Sequence, residues 1–323
     1  MSITAIKRVF PLCFSALVFA AMLRYSAAAV TGAGDGLALC ANVIAPTLLP
    51  FFVLSNLLCA LGLPGYLGRW AEKPLRALFG AGGAGASAFI LGLTGGYPLG
   101  AAAVAQLSSS GAISKAEGQK LLLFCNNTGP AFIIGMAGIG VFHSSALGVL
   151  LYAVHILAAI LTGAALCSGN KVSSPPDSAV CAVNFSAAMT DAMTRAVKST
   201  AMISGFVIFF SMLAALMRES GLFTVLSGLL YEHTVLSIGQ SESLILGLLE
   251  LGSGIASLRG MAATPENLAL CAFILGWGGI SVQFQTAAVT VSAGLRCAPA
   301  AFAKLLHGLL SASLAYFLCA LLI

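Results

Sequence analysis

The sequence predicts an all-α, polytopic membrane protein built from two inverted repeats with re-entrant hairpins and interrupted helices. Three observations carry that reading. Apolar residues make up 59% of the 323-residue chain and charged residues only 8%, with a mean hydropathy of +1.01, far from the mix of soluble domains. Runs long enough to cross a bilayer recur along the chain. One of them, LLLFCNNTGPAF at 121–132, places Asn126, Asn127, Thr128, Gly129 and Pro130 where an unbroken helix would be expected.

A span needs about 20 mostly apolar residues, because the hydrocarbon core is about 30 Å thick and a helix rises about 1.5 Å per residue. Seven stretches qualify, near 9–30, 37–62, 119–142, 144–167, 199–217, 267–290 and 300–323. The alternative for the first, a signal peptide ending near SAAAV, is disfavoured by Arg24, which interrupts its small-residue end. GYLGRWAEKPLRALFG, 65–80, reads as an interfacial amphipathic helix anchored by Trp70 with Arg69, Lys73 and Arg76. The apolar, Gly-rich stretches 83–108 and 243–260 read as re-entrant hairpins. Irregular backbone at membrane depth survives only where protein or water satisfies it. GNKVSSPPDSAVCAVNF, 169–185, is the one polar, Pro/Ser-rich linker. The expected organisation is an N-terminal span at 1–36, a first Gate-like repeat at 37–168, a linker and amphipathic segment at 169–198, a second repeat at 199–295 and a C-terminal span at 296–323.

Charge reads as topology. With the N-terminus inside and each hairpin returning to its own side, Lys7, Arg8, Arg69, Lys73, Arg76, Lys115, Lys120, Lys171, Arg195, Lys198, Arg296 and Lys304 fall on the cytoplasmic face. Only Arg24, Arg218 and Arg259 fall outside, a twelve-to-three split of the sign the positive-inside rule requires. A net charge of +5, dispersed in this way, does not suggest a nucleic-acid partner. The nine cysteines show no CxxC or zinc-type spacing, and Cys13, Cys40, Cys59, Cys271 and Cys319 lie in apolar runs, so neither a disulfide framework nor a metal site is expected.

The halves match at an offset of 155: PFFVLSNLL at 50–58 lies over GFVIFFSML at 205–213, and ILGLTGGYPLG at 90–100 over ILGLLELGSGI at 245–255. A further shift of four residues brings FCNNTGP near LGWGGIS. In the topology above the hairpins enter from opposite sides, so the repeats are inverted. Inverted repeats with helices interrupted near the midplane point to a secondary transporter. A break at 126–130 frees backbone carbonyls and amides, and the matching break at 276–285 offers Ser281, Gln283 and Gln285. Half-helix N-termini suit an anionic group, whereas loose carbonyls suit a cation.

At LLPFFVLSNLL (48–58), GLTGGYPLGA (92–101), SKAEGQKLLLFCNNTGPAFIIG (114–135), LLELGSGI (248–255) and LGWGGISVQFQT (275–286) the chain resembles the sporulation integral membrane protein YlbJ family, of the nucleoside-recognition or Gate domain group related to concentrative nucleoside transporters. That family's second hairpin commonly runs Glu-x-Thr-x-Gly; Glu250 and Gly254 match, and Gly252 stands in place of the threonine. The resemblance implies a multi-pass protein of the mother-cell-derived outer forespore membrane that moves dipicolinic acid during sporulation. A small planar aromatic dianion is compatible with helix ends, Asn and Thr donors and an aromatic residue.

Glu250 is the acid placed deepest in an apolar segment, where an ionised carboxylate costs about 2.5–3.5 kcal/mol on insertion scales. It either binds a coupling sodium ion or carries a coupling proton; the structural alternative is pairing with Arg259 near a hairpin mouth. Asn126, Asn127 and Thr128 are substrate-binding candidates, against interhelical hydrogen bonding worth about 0.6 kcal/mol each. Thr94 and Tyr97 are candidates beside their role in a Gly/Pro turn. Ser281 and Gln283 complete the expected site, while His155 reads as a histidine donating to a neighbouring helix, outside the site. No HExxH, GxSxG or P-loop occurs, so no enzyme is expected. The expected ligand is a small solute, an organic anion or a nucleoside, with no resident cofactor; a non-transporting scaffold or receptor in spore envelope assembly is the rival function.

Overall fold

The computed structural model describes residues 3–80, 82–167 and 184–322, and every regular element among them is helical. The polar linker therefore lies outside the described residues except for its last two positions, as do the side chains of Arg69 and Trp70, the expected interfacial anchors.

Helices α1 (Ile3–Arg24) and α2 (Ser26–Leu39) are not one straight crossing, for they bend by 103° at Tyr25, whose φ of −119° and ψ of 48° leave the helical region. The bend lays α2 along the second half of the chain, with Gly32 and Gly36 seated against Ser211 and its neighbours. After a π-type turn at Cys40–Ile44 come α3 (Ala45–Ala60) and α4 (Leu63–Phe79). Helix α4 starts with proline in its first turn and carries a Glu72–Arg76 ion pair along its exposed side.

Both expected hairpins are present. The first is α5 (Gly83–Gly95) and α6 (Leu99–Ser109), with its tip at Gly95–Pro98. Helix α7 (Lys115–Leu121) then begins the expected third span and stops. Residues 122–129 run through turns into irregular backbone, and the chain resumes as a π-helix, Ala131–Val141, before α8 (Ser145–Cys167). π-Helical turns are rare and concentrate at functional sites. In the second half α9 (Phe185–Glu219) precedes α10 (Leu222–His233). The second hairpin is α11 (Ile238–Leu249) with α12 (Leu251–Ala256), whose tip is Glu250. The second interrupted span follows as α13 (Pro265–Trp277) and α14 (Gly279–Thr290), then α15 (Cys297–Leu322).

By length and composition α8, α9, the α13–α14 pair and α15 can each cross a bilayer, and α10 meets α11 at a bend of 120°. Between apolar helices in lipid, association rests on close packing rather than on water exclusion. One packed centre joins Phe79 of α4, Phe89 of α5 and Phe124 just before the first break, with ring centroids 4.4–6.4 Å apart. Such aromatic pairs add about 0.5–1.5 kcal/mol each beyond their buried area. They fix the first hairpin against the chain that must turn at Asn126.

Candidate solute site between two broken helices

The first break is nested in its hairpin. A Cβ on Gly92 would lie 1.6 Å from the Cys125 carbonyl oxygen and one on Gly100 2.0 Å from it, so only hydrogen at both positions lets that carbonyl in. The second break turns on Gly278 and Gly279, both at φ 81°, a region closed to most side chains. These two glycines meet both hairpin tips: Gly278 packs on the Tyr97 ring and Gly279 on the Glu250 backbone.

A cavity forms where the four interruptions converge. Its wall comes from the first tip (Gly95, Gly96, Tyr97), the first break (Thr128, Gly129, Ala131), the second tip (Glu250, Leu251, Gly252) and α14 (Val282, Gln285). Ile44, Phe52, Ile203 and Val207 form an apolar side. The space open to water centres is about 50 Å³, room for a few waters.

The expected site residues divide into those on this wall and those that support it. Tyr97 is on the wall, and its buried hydroxyl has no hydrogen-bond partner. Thr128 is on the wall too, but its hydroxyl donates to the Leu275 carbonyl at 2.8 Å, tying the first break to the end of α13. Asn126 and Asn127 are buried away from the cavity. Asn126 accepts from the Ala101 amide at 3.3 Å and donates to the Thr286 hydroxyl at 2.8 Å. Asn127 donates to the Phe124 carbonyl at 2.8 Å. Thr94 lies on the exposed side of α5, its hydroxyl donating to Ile90 one turn back.

Glu250 is 4% exposed and on the wall. Its two carboxylate oxygens accept from the Gly252 and Ser253 amides at 2.8 and 2.6 Å, so it caps α12 rather than pairing with Arg259, which is exposed. An acid at this end of a helix is favoured by the helix dipole as well as by the two hydrogen bonds. Gln283 donates to the Trp277 carbonyl at 3.2 Å and caps the second break. Ser281 is fully buried with an unpartnered hydroxyl.

Four residues outside the expected set matter here. Gln285 is on the wall, 3% exposed, and its Oε1 has no partner. Residues 281 and 285 share a helix face and 283 points elsewhere, so helical spacing alone distinguishes Gln285 from Gln283. Lys304, assigned above to the cytoplasmic face, is instead 2% exposed within α15. Its ammonium lies 2.8 Å from the Asn126 carbonyl, 3.4 Å from Asn127 Oδ1 and 2.7 Å from His307 Nδ1. His307 Nε2 faces the His155 carbonyl at 3.1 Å, and His155 Nε2 accepts from the Thr128 amide at 3.1 Å. The signal was in the sequence: Lys304 and His307, one turn apart in an apolar run, share a helix face.

No protein-family model matches the chain. It is 28% identical over 340 aligned positions, covering 97% of it and 83% of the relative, to the sporulation integral membrane protein YlbJ of Bacillus subtilis (strain 168). The resemblance read from the motifs thus extends along nearly the whole chain. Two solved structures of CNTnw, a concentrative nucleoside transporter, share its fold; both are double variants in an outward-facing state. The first has a TM-score of 0.57 at 14% identity, covering 95% of this chain and 86% of the other. The second has a TM-score of 0.51 at 15% identity, covering 96% and 88%.

Proposed function

We propose that this multi-pass membrane protein is a carrier for a small organic anion, and that the anion is dipicolinic acid moved across the outer forespore membrane. The observation that carries the reading is the cavity at the meeting point of two hairpin tips and two broken helices, in which Tyr97 and Gln285 each keep a buried polar atom without a partner. Such an atom costs about 1–3 kcal/mol when left unsatisfied. A solute with hydrogen-bonding groups supplies what is missing.

The sign of the field supports an anion. The π-helix starts at Ala131, on the cavity wall, and α14 starts at Gly279, one turn before its wall residue Val282, and each helix start carries a partial charge of about +0.5. Glu250 uses the start of α12 for itself, which confines its carboxylate to one side of the wall. The open volume holds a few waters, so a flat dianion enters only when the hairpin tips move away from the breaks; its carboxylates then lie toward the two helix starts and its ring against Tyr97. The similarity to a sporulation membrane protein supports the forespore location. Movement then follows from rocking of the hairpin tips against the breaks, with the cavity about them as the fixed point.

A second reading, a nucleoside as cargo, draws support from the shared fold with CNTnw and from Glu250, since a carboxylate accepts hydrogen bonds from hydroxyls. Proteoliposome uptake of labelled dipicolinate, uridine and adenosine decides between them. Saturable dipicolinate uptake, competed by unlabelled dipicolinate and not by nucleosides, is expected. Nucleoside uptake alone replaces the cargo, and no uptake of any of the three favours a scaffold.

A further inference from the structure

The first break exposes the kind of group that binds a coupling cation in secondary transporters, a main-chain carbonyl freed from its helix beside an amide oxygen. Here those oxygens already face the amine of Lys304. Lys304 reaches in from α15 and places its Nζ 2.8 Å from the Asn126 carbonyl and 3.4 Å from Asn127 Oδ1, with His307 Nδ1 at 2.7 Å. A protonated amine has three hydrogens and no lone pair; the Asn126 carbonyl and Asn127 Oδ1 can only accept, and His307 Nδ1 accepts when its ring is neutral, because Nε2 keeps its proton to face the His155 carbonyl. With His307 neutral, an ammonium uses every hydrogen, whereas a neutral amine would face three acceptors with two.

The neighbouring groups are set to receive it. Asn127 donates its Nδ2 to the Phe124 carbonyl, which turns Oδ1 toward Lys304. His307 accepts on Nδ1, so its proton is on Nε2, facing the His155 carbonyl at 3.1 Å. His155 accepts the Thr128 amide on Nε2, so its own proton is on Nδ1. In this assignment the cluster holds one positive charge, that of Lys304. The ammonium lies 5.3 Å from the centroid of the Tyr97 ring, the ring that forms part of the cavity wall.

We infer that Lys304 is a tethered cation that occupies the place of a diffusible coupling ion at the first break, so that the chain works without sodium and keeps a fixed positive charge behind its solute cavity. Lys304 is a positioning residue: it holds the break open and biases the cavity toward anions through Tyr97, without touching the solute. The inference deepens the carrier reading and rests on it for transport, but the cation's place in the cluster is measurable without transport.

The experiment has two arms. In detergent, thermal unfolding of the wild-type chain and of Lys304→Ala is compared in sodium, ammonium, methylammonium and choline chloride at equal ionic strength. The wild type should unfold at the same temperature in all four salts. Lys304→Ala, which leaves the oxygens and a space where the side chain was, should unfold earlier in choline and recover progressively with ammonium or methylammonium. In proteoliposomes, wild-type dipicolinate flux should be the same with sodium as with choline, and Lys304→Ala should lose flux that methylammonium partly restores. Stabilisation of the wild type by sodium, sodium-dependent wild-type flux, or a Lys304→Ala protein indifferent to every small cation overturns the proposal. If Lys304→Ala yields no folded protein, the wild-type sodium and choline comparison decides alone. If the wild type moves none of the solutes, the carrier reading fails while the unfolding arm still tests the tethered cation.

Discussion

The two halves interrupt their helices at matching positions and hold the gaps open by different chemistry. The first break is built from side chains: Asn126, Asn127 and Thr128 bond to α6, α14 and α13 or to their own turn, and Lys304 reaches the break from outside the repeat. The second break is built from two glycines in the left-handed region, with Gln283 capping the Trp277 carbonyl. The tips differ in the reverse sense, for the first carries neutral Tyr97 and the second the Glu250 carboxylate. One half therefore keeps its charge behind the cavity and the other keeps it on the wall. The second break fails when a side chain is gained; the first fails when one is lost, or when a glycine of the hairpin around it gains one.

The largest expected effect lies in the hairpins. The offset of 155 pairs Gly92 with Gly247, yet a Cβ on Gly92 meets a backbone carbonyl at 1.6 Å while one on Gly247 meets the Ile274 side chain at 2.5 Å. Ile274 can shift, at an overpacking cost of about 1–3 kcal/mol, and a carbonyl inside the break cannot. Gly92→Ala should abolish recovery of monodisperse protein from membranes, and Gly247→Ala should keep it with a lower unfolding temperature. Equal behaviour in size-exclusion chromatography would erase this difference between the halves.

Next comes the second break itself. Gly278→Ala should cost about 1–2 kcal/mol for a side chain in the left-handed region, and its Cβ, 3.1 Å from the Tyr97 ring, should weaken solute binding as well. A variant that unfolds earlier yet binds normally would show that the Tyr97 contact is packing alone. Smaller still, Thr128→Val removes the bond to Leu275 and should cost about 1 kcal/mol in thermal unfolding, with Gln283→Ala, which is only partly buried, costing less. The reverse order would mean that the second break, too, depends on side chains. Glu250→Gln keeps one cap acceptor and turns a donor toward the other amide, so a modest loss of stability is expected. Its flux measured against pH and sodium should lose pH dependence if Glu250 carries a proton, and wild-type flux with unchanged dependence on both would remove Glu250 from the mechanism.

The hairpins and breaks were legible because Gly, Pro and Asn inside apolar runs contradict a continuous span, and backbone freed at that depth must find partners within the protein. The bend at Tyr25 was not legible, since tyrosine is no helix breaker and the turn serves the seating of Gly32 and Gly36 on α9. Asn126 and Asn127 were correctly placed at the break, but residue type does not tell which way an amide points; both turn into the bundle. His155 departs from its expected role as donor to a neighbouring helix, for its Nε2 accepts from the Thr128 amide in the first break. Lys304 was misplaced because a lysine near the start of a span resembles a flanking charge, and its acceptors, Asn126 and Asn127, lie 178 and 177 residues away in the chain.

Equilibrium binding of labelled dipicolinate to the purified protein, for the wild type and for Tyr97→Phe and Gln285→Leu, tests the central claim most directly, because these two side chains hold the unpartnered atoms of the cavity. Saturable wild-type binding is expected, weakened about tenfold by each substitution if each removes one hydrogen bond to a charged group, with folding unchanged. Undetectable wild-type binding, or binding that neither substitution alters, would contradict a dipicolinate site between the two broken helices.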